Sequence, residues 1–350
     1  MRKHVALLPL LLAGIYVGCS DAGPTAPPDD DSPLSAKAFK GASTVMSDQG
    51  VRMVVLSDPA WEWSSAQTMS TNSTIAGYCE IDPCMWKNGE LTILPAEGNE
   101  AHAYGVNNRG QAVGFLMDRD YNRPVMWDKG VLTFLPTLEH PGGIARAINN
   151  RGEVVGDGRD AAGNIRPFIV RHGAARDLGT PDTDDHGVAW DINDRGQAVG
   201  YAYTQPGSHH GLLWHKGKMT YIETLPGTDY ALPDAINNKG QVVGDSYTRS
   251  SNTYEAWIWE RGHTRSLGIA AMRSWAGDIN ERGQIVGSLQ TSSSWDSQRA
   301  FLWERGVVKN LGTFPGGGAS YANGIDNYGH VAGMATDASG KEHAVLWLLK

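Results

Sequence analysis

Cysteine is scarce in this chain, with three among 350 residues, and phenylalanine is nearly so, with six. Three thiols cannot staple a domain of this size, so packing must hold it. Past a short N-terminal run, no stretch is apolar for the ~20 residues that a membrane helix needs. Sustained helical periodicity is missing from the body of the chain. So are G-x-S-x-G, H-E-x-x-H and any second Cys/His pair at zinc spacing, which removes the most legible hydrolase and zinc readings. The formal charge is −8; binding a phosphate backbone needs a positive face, so no nucleic-acid partner is expected. The recurrent Asn-Asn and Asn-Asp pairs lack the D-x-D-x-D-G ladder that hard cations prefer. Phe314–Gly318 is glycine-rich, but no Lys-Ser/Thr follows to make it a phosphate loop. No metal and no cofactor is expected.

The apolar run is Val5–Val17, preceded by the basic MRKH and ending in YVGCS at Cys19. It has the length of a signal-peptide core, and Cys19 after a small residue resembles the lipobox of bacterial lipoproteins. The expectation is a signal peptide over 1–18 and a lipidated Cys19, with a secreted protein cut nearby as the alternative. The tether over 19–49, containing DAGPTAPPDDDSP, has little to bury. Lipidation of Cys19 leaves Cys79 and Cys84, and an even remainder in an oxidising compartment suggests a disulfide between them. Two free thiols or a metal half-site are the other readings.

What fills residues 50–350 is repetition. AINNRGEVVG (Ala147–Gly156), DINDRGQAVG (Asp191–Gly200), AINNKGQVVG (Ala235–Gly244) and DINERGQIVG (Asp278–Gly287) are its clearest copies. Weaker ones start at Gly105, Gly324 and Thr68, and the closing glycines recur at roughly 43 residues, the period of a propeller blade. Each copy holds four strand signals: two joined by N-x-x-G, then two joined by W-x-x-G, as at Trp127–Gly130 and Trp303–Gly306. In the sixth copy the strands are expected at 277–280, 284–289, 299–303 and 307–312. The last copy supplies only three strands, and Val51–Leu56 before the first looks like the missing fourth. The fold class expected is all-β: a seven-bladed propeller of four-stranded antiparallel blades, closed by an N-terminal strand. An open solenoid is the rival.

The second half of the repeat reads RPVMW (Arg123–Trp127), HGLLW (His210–Trp214), RAFLW (Arg299–Trp303) and HAVLW (His343–Trp347). With INNxGQVVG, it makes residues 50–350 resemble the HAF-repeat family of bacterial extracellular proteins. That resemblance implies an exported propeller-like repeat protein and carries over no catalytic residue. The repeated tryptophans are expected in the core between blades, and the asparagines as local turn caps.

Function is expected in what does not repeat. The tight turns share one face, so the long connections share the other, and these carry the unusual side chains. The candidate ligand residues are His102, His140, His186, Tyr230, Arg273, Trp275, Trp295 and Tyr321. Three of them follow an acidic residue closely, at Glu100/His102, Glu139/His140 and Asp185/His186. The expected function is a cell-envelope binding module, periplasmic or cell-surface, lipid-anchored and monomeric, taking a glycan or protein ligand. A carbohydrate-active lyase or hydrolase using His and acids on the same face is the alternative; a purely structural envelope protein is a third.

Overall fold

The computed structural model describes residues 42–203 and 209–349. The expected signal peptide and Cys19 lie outside the described residues. Seven antiparallel sheets follow one another along the chain. Blade 1 is Ser64–Met69, Ile75–Cys79, Asp82–Lys87 and Glu90–Ile93. Its inner strand has counterparts at Ala101–Val106, His140–Ile148, His186–Ile192, Tyr230–Ile236, Arg273–Ile279 and Ser320–Ile325 in blades 2 to 7. Each inner strand contacts the next, and that of blade 7 contacts that of blade 1, so the ring is closed.

Closure follows the expected route. Arg52–Val55 pairs antiparallel with Glu342–Leu348, with Met53 opposite Trp347 and Val54 opposite Leu346. A fifth strand, Thr44–Met46, adds to the outside of the same sheet. The segment read as a tether up to residue 49 is therefore part of blade 7 from Thr44 on.

The core is not one mass but seven, each between two blades. Between blades 4 and 5, Val199 and Leu213 meet Ala231, Ile236 and Trp257. The repeated tryptophans are buried at these seams. Trp86, Trp127, Trp214 and Trp303 each donate the indole N–H to a carbonyl of the preceding blade, at Leu56, Pro95, Gly179 and Leu267, over 2.8–3.1 Å. Trp259 is the half-buried member. In blade 1, Cys79 and Cys84 form the expected disulfide, with a Cα–Cα distance of 6.0 Å.

The asparagines do more than cap their own turns. Asn237 Oδ1 accepts the N–H groups of Lys239 and Gln241, as a turn cap should. Its Nδ2 donates to Gln241 Oε1 and, at 3.1 Å, to the carbonyl of Asn280 in the next blade. Asn107, Asn149, Asn193 and Asn280 repeat this link to Asn149, Asn193, Asn237 and Asp326. A second belt runs beside it: the N–H groups of Asn108, Asn150, Asp194, Asn238 and Glu281 each donate to the side chain of the equivalent residue one blade on.

Two outcomes test this account. Removing residues 42–56 exposes the edge of blade 7, and the truncated protein is expected to aggregate or melt far below the full chain; equal melting would contradict closure. Asn237→Ala strips four bonds from a buried turn, leaving N–H groups unsatisfied, and should cost ~2–4 kcal/mol in urea unfolding.

Candidate functional site

Every inner strand carries one extra residue at the same place. The pairing of strand one with strand two slips between Ala66 and Thr68, Ala103 and Gly105, Ala145 and Ala147, Ala189 and Asp191, Pro233 and Ala235, Ala276 and Asp278, and Ala322 and Gly324. These are β-bulges, and the unpaired residue of each turns aside from the ladder. The seven bulged residues, Gln67, Tyr104, Arg146, Trp190, Asp234, Gly277 and Asn323, all line a cavity of about 340 Å³ on the axis of the ring. The repeated closing glycines are the other half of the device. A Cβ at Gly114, Gly156 or Gly244 would lie 1.8–2.1 Å from the carbonyl oxygen of His102, Ile144 or Leu232 on the bulged strand.

The residue after each closing glycine complements the bulge in four blades. Tyr104 lies 5.7 Å from Phe115 between ring centres. Arg146 Nε donates to Asp157 Oδ1 at 2.5 Å and its guanidinium stacks 3.9 Å from the Trp190 ring. Trp190 in turn lies 6.5 Å from Tyr201. Asp234 and Asp245 hydrogen-bond each other. Burial drives the carboxyls up: Asp234 to about 7, with the hydrogen bond from Asp245 working against the rise, and Asp245 well above the usual range. Asp191 and Asp278 are enclosed as well, at about 6 and about 7, and each accepts a backbone N–H from the next blade, Ile236 and Ile325.

The expected loop residues begin the inner strands instead. His140, His186, Tyr230 and Arg273 are first residues of theirs, and His102, Trp275 and Tyr321 lie inside theirs. The reason is that strand two is long enough to pair them, His186 with Tyr203 and Tyr230 with Tyr247. Cross-strand pairing then builds an aromatic path over three blades. It runs His186–Tyr203–His209 on blade 4, Tyr230–Tyr247–Tyr254 on blade 5 and Trp275 on blade 6, with successive ring centres 4.6–5.6 Å apart. Through Tyr201, 6.0 Å from Tyr203, the path reaches Trp190 and Arg146 in the channel. All these rings are half-buried. Arg273 is tied to the Asn252 carbonyl, and the Arg249 guanidinium donates to the Tyr230 hydroxyl.

His102, His140, Trp295 and Tyr321 are not brought to this path. His102 stacks on Tyr78 at 4.7 Å and sits 3.5 Å from Glu100. Burial holds its imidazole, like that of His209, below the usual range, so both are neutral near pH 7. His140 accepts the Gly142 N–H and packs on Tyr121 beside a groove of about 630 Å³ between blades 2 and 3, while Glu139 accepts the Ala161 N–H. His186 accepts the Ile165 N–H, and the buried acid nearby, Asp184, turns to His210 at 2.7 Å. Trp295 is 64% exposed on a short 3-10 turn, and Tyr321 donates to Gln298. The three histidines therefore sit in three separate settings, and no group of three His, Cys, Asp or Glu able to hold a metal occurs among the described residues.

One hydrogen-bond chain has the composition of a hydrolytic triad: Ser57 Oγ to His343 Nδ1 at 2.9 Å, and His343 Nε2 to Asp337 Oδ2 at 3.0 Å. Asp337 also receives the N–H groups of Ser339 and Lys341, so it caps its own turn. At the same strand position, His210 holds Asp184 and Arg123 holds Asp118. The shared role is to pin the loop between strands, and neither cavity includes Ser57 or His343.

No family model and no curated protein matches the chain. Among solved structures, it is similar to the propeller domain of the Trilobed protease from Pyrococcus furiosus, with 10% identity, a TM-score of 0.61 and coverage of 83% of this chain and 94% of that one. A gluconolactonase from Xanthomonas campestris matches at 14% identity and a TM-score of 0.42, over 95% of this chain and 99% of its own. TolB from Acinetobacter baumannii matches at 10% and 0.45, over 87% and 78%. At these identities the likeness is one of fold.

The enclosed carboxyls predict a pH dependence. Their folded pKa values lie above the 3.8 of the free side chain. The folded state then binds more protons between about pH 4 and 7, and stability should fall as pH rises through that window. Asp245→Asn keeps a donor to Asp234 without the second charge. It should flatten the slope and raise stability at pH 8 by ~1–2 kcal/mol, the size of a one-unit shift, as read from urea midpoints across pH.

Proposed function

We propose that the protein is a non-enzymatic binding module whose loop face takes a glycan along the aromatic path. The observation that carries this reading is the path itself: seven half-buried rings across blades 4 to 6, none more than 5.6 Å from the next. Flat rings on a rigid sheet offer apolar area to the C–H faces of sugars at little cost in side-chain entropy. The propeller supplies that rigidity, while the hydroxyls of Tyr203, Tyr247 and Tyr254 supply polar edges. The lyase or hydrolase reading needs His and acids acting together, and the three His/acid pairs belong to separate surroundings. Export and attachment through Cys19 are part of the proposal and rest on the N-terminal residues and the HAF-like repeats.

The test is a glycan array followed by calorimetry. Trp275→Ala, and Tyr247→Ala with Tyr254→Ala, are expected to weaken the best array ligand ~10-fold or more, about 1.4 kcal/mol. Melting temperature should change little. Arg151→Ala, Arg195→Ala and Lys239→Ala, exposed in the tight turns of the opposite face, should leave affinity unchanged. Loss of binding from the turn-face set alone would place the ligand on the wrong face for this reading.

A further inference from the structure

Six of the seven bulged residues project a side chain toward the axis; the seventh, Gly277, projects none. Its backbone does not demand glycine. Its φ is outside the left-handed region, and a Cβ built on it would find its nearest neighbour, the Ala322 carbonyl oxygen, at 3.4 Å, an ordinary contact. By contrast, Gly105 and Gly324, one position further on, would put a Cβ 2.8 and 2.6 Å from backbone of the next blade. Those two are glycine for want of room. Gly277 has room, is exposed to the channel, and leaves a notch in the ring.

The notch has defined neighbours. Asp234 is the bulged residue of the preceding blade and Asn323 that of the following one, and beyond Asp234 stands the Trp190 ring. The Asn323 amide nitrogen donates to the Ala66 carbonyl at 2.9 Å and Asp234 is hydrogen-bonded to Asp245. The Asn323 carbonyl oxygen and a carboxyl oxygen of Asp234 are therefore what the notch offers to adjacent hydroxyls on a sugar ring. The cavity's charge narrows the choice. Asp191, Asp194, Asp234, Asp278 and Glu281 line it, and Arg146 is its one basic lining residue, already paired with Asp157. An acidic sugar would meet like charge. A neutral or amine-bearing one would not.

We infer that the axial channel receives the end of a neutral or amino-bearing sugar chain, its terminal unit seated in the Gly277 notch between Asp234 and Asn323 and against Trp190. This rests on the glycan reading above and adds where the chain ends. A closed ring of strands admits a chain only end-first, and a cavity of about 340 Å³ is at the small end of ligand pockets. The ring of bulged residues is the end of this cavity nearer the loop face, since the rest of its lining runs to the tight turns at Asn150, Asp194 and Asn238. Tyr201 joins Tyr203 on the loop face to Trp190 in that ring.

The experiment is calorimetry of the whole protein with cellopentaose, chitopentaose, maltopentaose, β-cyclodextrin and trigalacturonate. At least one linear neutral or amino-bearing pentasaccharide should bind, with β-cyclodextrin and trigalacturonate at least 10-fold weaker. Gly277→Gln fills the notch with the side chain that blade 1 carries at this position, and should weaken the bound pentasaccharide 10-fold or more with melting unchanged. Asn323→Ala, which cannot crowd the ring, should weaken it as well. If a linear sugar binds and responds to Trp275→Ala but not to Gly277→Gln or Asn323→Ala, the channel assignment falls and the glycan path stands. Equal binding of β-cyclodextrin, or tight binding of trigalacturonate, also overturns it. If none of the five sugars binds and the array is blank, both readings fall.

Discussion

The amide of the first turn asparagine is the interaction on which this ring depends. A single planar group accepts two N–H bonds that close its own hairpin and donates two more, one to the glutamine or glutamate four residues on and one to the next blade. Aspartate could make only the accepting half, and serine would be too short to span the seam. Because the same side chain shapes a turn and joins two sheets, hairpin geometry and blade spacing are set together. Where the amide is missing, other groups take over. In blade 7, Asp326 accepts from its own turn and pairs with His330, and Ser73 of blade 1 donates to Asp326 across the seam. That junction is also where the closing strand lies, with the Trp86 indole bonded to Leu56 just past it.

Much of this architecture is legible in the residues because each repeated side chain has one repeated job. N-x-x-G marks the inner hairpin, W-x-x-G the outer one, and the surplus N-terminal strand marks closure. Less visible was that those jobs cross between blades, since a cap and an interblade link need the same asparagine. The channel escapes the repeat pattern for a different reason. Alternation of faces is read with a period of two, and a bulge adds one residue and breaks the count. Tyr104, Arg146, Trp190 and Asp234 sit between residues that repeat, where variation reads as noise. A signal was present in the glycines: a glycine recurring in mid-strand points to a close approach of backbone, and Gly114, Gly156 and Gly244 each face a bulged strand's carbonyl. The aromatic path was half visible. His186, Tyr230 and Trp275 stood out as unusual, but only strand pairing shows that Tyr203 and Tyr247 lie directly opposite the first two.

Radius separates what stabilises this protein from what distinguishes it. Apolar burial is divided among seven seams between sheets, and none of the seven clusters includes a bulged residue. A bulged residue contributes no ladder hydrogen bond of its own, so its identity is weakly coupled to pairing. Seven axial positions can then hold seven different side chains, from glycine to tryptophan, on one backbone. Where a bulged residue is charged, its partner comes from the same blade: Asp157 for Arg146, and Asp245 for Asp234. The enclosed acids then tax stability only as they ionise, which leaves the axis polar and wettable while the seams stay dry.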